Sequence, residues 1–424
     1  MKILFITYFF PPLGLAGVQR QSKLCKYLSK ISWDITVVTS KPKWFLAYDH
    51  SLWDEVKSLI SIIRIPSFDH YHLPLEKLFT TKSKYSSNRG LTKYGSSKFF
   101  SFPDYQVAWF FFSYPHIKRL VSGNKFDFVL VSAPPFSTFI ISWAVSKFSG
   151  IPLIVDFRDP WIDQELFPFF SRFHRWFNLY WENKVLNQAS LITTINPSIK
   201  KSIKQRFPQA KIYVLNQGYD PEDFKEKIKA DSNSKLTITY MGSLIRGIKA
   251  DVLLKAVECL IEQDNCWKHR LEIYFVGKNS KQAFNLASEM GISSLVRSVD
   301  YLPHREALQY ARSADALWLY IPPWQGDNMS TGKLYDYLGT GNYIIASTLP
   351  TTAAAKLLSG YNKSYQVDPQ DYQELSKVIE NLYYQKQKSK KLPEDKSFIA
   401  RFDRKLIAEK FSKVLLAGRV NSRQ

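Results

Sequence analysis

Short runs of apolar, β-branched and aromatic residues alternate along the chain with longer stretches of helical period, and turn residues separate them. That alternation marks strand–helix units wound around a parallel sheet, whose strands are buried on both faces and therefore read as continuous apolar runs. In the first half the pattern predicts strands at Ile3–Tyr8, Ile35–Thr39, Phe128–Ser132, Leu153–Asp156, Leu191–Thr194 and Ile212–Leu215. It restarts after YDPEDFKEKIKADSNSK, residues 219–235, a polar stretch with the composition of an exposed linker. Strands follow at Leu236–Met241, Leu271–Val276, Ala316–Tyr320 and Tyr343–Ala346, with helices over segments such as Asp251–Glu262 and Tyr335–Leu338. The fold class is α/β: two doubly wound parallel-sheet domains, 1–218 and 236–395, whose carboxyl strand ends face a central cleft where ligands bind. A last segment of helical period, Phe398–Gly418 within 396–424, needs a surface to pack on.

One region departs from the alternation, a long insertion over about 41–125. Within it Lys82–Lys98 carries Lys82, Lys84, Arg89, Lys93 and Lys98 with no acidic residue, and the aromatic run FFSFPDYQVAWFFFSY follows directly. Cationic side chains meet lipid headgroups while aromatic rings settle at the interface, so the insertion can touch an anionic membrane. The alternative is a solvated basic loop followed by core aromatics.

Composition narrows the partners. The 424 residues are 45% apolar, which provides for two sizeable cores and excludes a disordered tail. Lysine and arginine number 58 against 37 acidic residues, and the formal charge of +21 attracts phosphate in nucleic acid, at a membrane or in small ligands. Cys25, Cys259 and Cys266 form neither a zinc set nor a disulfide framework, which fits a reducing compartment. The start, MKILFITYFF, is cut short by Pro11 and Pro12 and reads as a buried strand rather than a signal peptide. Phe128–Val145 is interrupted by Pro134 and Pro135 and falls short of the ~20 apolar residues of a spanning helix.

Candidate chemistry collects at strand ends. PPLGLAGVQR follows the first strand, and Gly14 and Gly17 allow a tight backbone and close ligand approach before a helix start, with Gln19 beyond them. DFRDPW places Asp156, Arg158 and Asp159 at the end of another strand, where they can bind hydroxyls or developing negative charge, or form a local ion pair. In the second half GSLIRGIK offers Gly242, Arg246 and Lys249. STGKLYDYLGTG puts Ser330, Thr331 and Gly332 at a helix start, with Lys333 beside it and Asp336 one turn along as an acceptor for hydroxyls. Ordinary capping by Ser330 or Thr331 is the alternative there. No D-x-D pair occurs and the seven histidines show no metal-ligand spacing, so no metal and no cofactor are expected.

MKILFITYFFPPLGLAGVQR, FDFVLVSAPPFS, GIPLIVDFRDPW, NQGYDPEDF, YMGSL and STGKLYDYLGTGNYIIA, in that order, resemble the glycosyltransferases of the two-Rossmann-domain GT-B fold, close to glycosyltransferase family 4. The resemblance implies transfer of a sugar from a nucleotide-diphosphate sugar to a hydroxyl of a glycan or lipid-linked glycan in cell-surface polysaccharide biosynthesis. It implies a donor held by the second domain, an acceptor held by the first, and a C-terminal helix crossing back to the first. It further implies retention of configuration and no metal; the cysteine count and the basic insertion add the expectation of a cytoplasmic protein, free or peripheral at the inner face of the plasma membrane. By position it carries Gly17 and Gln19 into the acceptor and phosphate loop and Arg158 and Asp159 beside the reacting sugar. Arg246 and Lys333 would stabilise the departing diphosphate, and Gly242, Lys249, Ser330, Thr331, Gly332 and Asp336 would hold the donor. The paired glutamates of the family, E-x7-E, fall on Asn328 and Asp336, and its basic pair falls on Ser243 and Ile248. Asn216 and Gln217 stand at its asparagine–glycine turn.

Two rival readings use the same features. A sugar-nucleotide epimerase on the same fold would need no acceptor. A non-enzymatic nucleic-acid binder would use the charge and the aromatic residues, but no recognisable binding module accompanies them, and no nucleic-acid partner is expected.

Overall fold

The computed structural model describes residues 1–14, 16–41, 48–67, 102–163, 169, 171–225, 234–244, 248, 250–328, 330–389 and 392–421. They form two compact units, Met1–Asn216 with Ala408–Gln424, and Gln217–Ile407.

The first unit is built on seven strands: β1 (Lys2–Ile6), β2 (Asp34–Ser40), β3 (Ser61–Ile65), β4 (Phe128–Ala133), β5 (Leu153–Phe157), β6 (Ala189–Thr194) and β7 (Ile212–Val214). Their order is β3-β2-β1-β4-β5-β6-β7, and every ladder is parallel. The direction of winding reverses between β1 and β4, where doubly wound sheets open a crevice at their carboxyl ends. Leu4, Ile6, Val129, Val131, Val155 and Ile192 form the centre of a core that the crossover helices cover. Local chemistry sets the ends of those helices. Ser171 accepts from the backbone N–H of His174 at the head of Arg172–Gln188, and Asn196 accepts from Ile199 ahead of Pro197–Arg206, which opens on a proline. Trp33 Nε1 donates to Ser412 Oγ at 2.9 Å, which ties the C-terminal segment into this unit.

All six strands read from the first half are present; β3, inside the insertion, was not expected. The basic stretch Lys82–Lys98 lies outside the described residues. Of the aromatic run, Trp109 is fully buried and donates to Ile65 O at 3.2 Å, whereas Phe111 is exposed on helix Trp109–Gly123.

The second unit carries β8 (Leu236–Met241), β9 (Leu271–Val276), β10 (Val296–Val299), β11 (Ala316–Tyr320), β12 (Tyr343–Ser347) and β13 (Ser364–Val367). The order is β10-β9-β8-β11-β12-β13, again all parallel. Ile238, Ile273, Phe275, Trp318 and Ile345 lie at the centre of one face. The start of the expected linker is packed: Asp220 is buried, and Tyr219 and Phe224 press so closely on Gly339 that a β-carbon there would meet either ring at 2.7 Å. Residues 226–233 are outside the described set. The final helical segment is two helices, Lys396–Ala400 and Arg404–Asn421, rather than one. Among the described residues no helix is long and apolar enough to cross a membrane.

Candidate functional site

In the first unit the ends of β1, β4 and β5 converge on two arginines. The helix after β1, Ala16–Lys30, presents Arg20, whose Nη2 and Nε reach Asp156 at 3.0 and 3.3 Å. Its remaining donors go to Leu215 O and Asn216 O, at 3.0 and 2.9 Å. Asp156 also accepts from Ser132 Oγ at 2.9 Å and Thr193 Oγ1 at 2.8 Å. Burial raises the Asp156 pKa, but the Arg20 charge and these donors outweigh it and hold the carboxylate below its ordinary range. Asp156 is thus an ion-pair partner that fixes the strand ends. Its partner is Arg20, a residue the sequence reading did not single out.

Arg158, two residues on, is buried and donates to Gly17 O at 2.7 Å and to Pro134 O, so that one guanidinium joins the loops after β1 and β4. A β-carbon on Gly17 would come 2.7 Å from Arg158 Nη1, which explains the glycine at this helix start. Burial lowers the Arg158 pKa, against the opposing pull of Asp159 and Asp156, and its Nε is a buried donor with no hydrogen-bond partner. Gly14 and Gln19 are buried nearby in chain order, and Asp159 is exposed. Arg158 and Gly17 therefore come together, while Asp159 is exposed.

In the second unit β8 ends at Gly242, whose φ of +143° is a conformation that side chains rarely adopt. Its N–H donates to Val276 O at 2.8 Å, and a β-carbon would meet Lys333 Nζ at 2.6 Å. Lys333, on the first turn of helix Gly332–Thr340, donates to Tyr240 OH at 2.7 Å and lies 4.0 Å from that ring's centroid. Desolvation pulls its pKa down to about 7. A glycine loop, an ammonium and a helix N-terminus thus meet at one point, an arrangement that attracts an anion. Thr331 precedes the helix without capping it, and its Oγ1 is buried with no partner, so capping does not account for this residue. Ser330 Oγ lies 3.0 Å from Tyr335 OH inside the unit. Arg246 and Lys249 are outside the described residues.

Asp336 is buried one turn further along. His304 Nε2 lies 3.0 Å from its Oδ2, its Oδ1 has no partner, and His304 Nδ1 lies 3.8 Å from Asp223. Arg305 pairs with Asp223 at 3.2 Å. This chain of groups orients one oxygen of Asp336 and leaves the other an unused acceptor, able to take a hydrogen bond from a hydroxyl. His304 was missed in the sequence because an isolated histidine after a proline carries no spacing signal.

Residues 21–223 match the family described as Glycosyltransferase Family 4, nearly the whole contiguous part of the first unit. No curated protein matches the sequence. Among solved structures, HepE from Anabaena in complex with UDP is similar over 98% of this chain and 100% of its own, with a TM-score of 0.65 and 14% identity. Sucrose-phosphate synthase from Thermosynechococcus elongatus is similar over 100% of both chains, with a TM-score of 0.66 and 14% identity. WaaG, a glycosyltransferase involved in lipopolysaccharide biosynthesis, is similar over 97% of this chain and 99% of its own, at 0.62 and 12%. The fold is that of the GT-B glycosyltransferases, and the resemblance read from the ordered motifs holds.

Proposed function

We propose that this glycosyltransferase takes its sugar from a uridine-diphosphate donor and transfers it to a hydroxyl of a glycan or lipid-linked glycan, retaining configuration and using no metal or cofactor. The observation that carries the donor reading is the meeting of Gly242, Lys333 and the uncapped start of helix Gly332–Thr340. Charge builds on the diphosphate as its bond to the sugar breaks, and an ammonium and N–H groups already in place stabilise it without reorganising. Arg246 joins Lys333 in this role. Gly242, Ser330, Thr331 and Gly332 form the diphosphate side of the site, the sequence motif adds Lys249 as a further donor-binding residue, and Asp336, held by His304, takes donor hydroxyls. UDP and UDP-glucose bound to HepE support uridine as the nucleotide.

The first unit serves the acceptor through the Gly14–Gly17–Gln19 loop, with Arg158 and Asp159 beside the reacting sugar. In the retaining reaction the acceptor oxygen bonds to the anomeric carbon on the face the diphosphate leaves, and the acceptor proton passes to the departing diphosphate. Basic groups take the part that a metal ion would otherwise play in neutralising that leaving group. A role in cell-surface polysaccharide synthesis at the inner face of the plasma membrane is supported by the involvement of WaaG in lipopolysaccharide biosynthesis and by the basic charge of this chain.

Thermal unfolding with UDP, GDP, CMP and dTDP, in chelator and in magnesium, tests the donor. Ligand at a hundred times its dissociation constant adds ~2.7 kcal/mol, a readable shift. A shift with UDP in chelator is expected, and no shift with any nucleotide would overturn the reading.

A further inference from the structure

The first unit carries a surface that its sheet and core leave unexplained. Helix Arg172–Gln188 buries His174, Asn178, Glu182, Val185 and Leu186. On its other side Phe173, Trp176 and Tyr180 are 59%, 59% and 46% exposed, at the spacing that aligns residues along one helical face. Their rings are stacked in sequence, Phe173 on Trp176 at 5.7 Å and Trp176 on Tyr180 at 6.1 Å, both at 26°. Arg172, Arg175 and Lys184 are exposed around them. The sole acidic residue of the helix, Glu182, is turned inward and paired with Arg206 at 2.8 Å.

Neighbouring helices extend the same character. Trp143 of Ser137–Ser149 meets Trp181 at 5.3 Å, and Lys118 of Trp109–Gly123 lies 4.4 Å from the ring of exposed Phe148. Neither of those two helices contains an aspartate or glutamate. Three adjoining helices therefore present aromatic rings and cations with no exposed acid.

We propose that this face, centred on Phe173, Trp176 and Tyr180, is where the protein lies against an anionic lipid bilayer. Tyrosine and tryptophan rings partition to the headgroup level, and each cation beside them gains from the negative surface potential within a Debye length, about 8–10 Å. A second copy is a poor occupant, because a two-fold contact would set the same cations against one another. The assignment gives a surface to the membrane association proposed above and does not involve the donor residues.

Sedimentation with phosphatidylcholine vesicles, with and without 30% phosphatidylglycerol, tests it. Wild-type protein should bind the anionic vesicles at least ten times more tightly than neutral ones. Trp176→Ser/Tyr180→Ser should lose at least tenfold in that binding while keeping the wild-type melting temperature and UDP-induced shift. Arg172→Glu/Arg175→Glu should lose the preference for anionic lipid. Wild-type protein that binds neither vesicle overturns the membrane association itself. A double aromatic variant that binds like wild type overturns the surface assignment. A wild-type dimer on size-exclusion that the variant dissociates would give the face to a second copy, and also overturns it.

Discussion

Lys333 offers the most direct check of the proposed donor site. Its ammonium is desolvated between the Tyr240 ring and the Gly242 backbone, and with a pKa of about 7 it carries its charge in only part of the population near neutrality. A bound diphosphate favours the charged form and returns the pKa toward the ordinary lysine value of 10.5. Binding must then take up protons, and affinity must fall as pH rises through 7. A free-state value of about 7 and a bound-state value of ~10 together make the association constant drop roughly 80-fold between pH 6 and 9. At pH 8 they give ~0.9 proton taken up per ligand. Isothermal titration of UDP-glucose reads the affinity, and titration in two buffers of different ionisation enthalpy reads the proton. UDP-glucose is the right ligand because a terminal phosphate ionises near pH ~6 and would add its own slope. Lys333→Met should bind weakly with a flat profile. A flat wild-type profile, or a slope that survives the substitution, refutes the reasoning.

Other substitutions probe the remaining parts. Without ligand the Lys333 sign reverses: its folded-state pKa of about 7 lies below the ordinary 10.5, so stability should rise as pH climbs between those values, and Lys333→Met should flatten the rise in a melting series. Asp156→Asn leaves the buried Arg20 charge without its counter-ion and should cost about 3–5 kcal/mol, seen as a lower calorimetric transition. Gly17→Ala forces its methyl onto Arg158 and should cost ~1–3 kcal/mol of stability, with sugar transfer falling more than UDP binding. His304→Ala removes the donor that orients Asp336 and should weaken UDP-glucose binding by about 1–3 kcal/mol; equal affinity would remove His304 from the site.

The two sheets were largely legible in the sequence, and what was missed has a common cause. β3, β10 and β13 all lie at sheet edges, where only part of a strand is covered. SIIRI, VRSV and SYQV therefore mix Arg64, Arg297, Ser298 and Gln366 with apolar residues and lose the continuous run that marks a central strand. Tyr219–Phe224 read as linker because its aspartates looked solvated. In the fold Asp220 accepts from Glu222 N at 2.9 Å, and Asp223 is enclosed by Arg305 and His304. At the sites, glycines and cations at strand ends were visible, whereas their partners were not. Arg20 meets Asp156 across 136 positions and Lys333 meets Tyr240 across 93, and no local pattern encodes such pairings.

The first unit is interrupted in sequence: its last segment, Ala408 onward, follows the whole of the second. A ribosome therefore delivers β1 to β7 early but withholds the helix that carries Ser412, the partner of Trp33, until the second unit has been made. The second unit, continuous from Gln217 to Ile407, has all its strands before that point and can fold as it emerges. A translation product that stops after Ile407 would then hold the second unit whole and the first without the helix partner of Trp33.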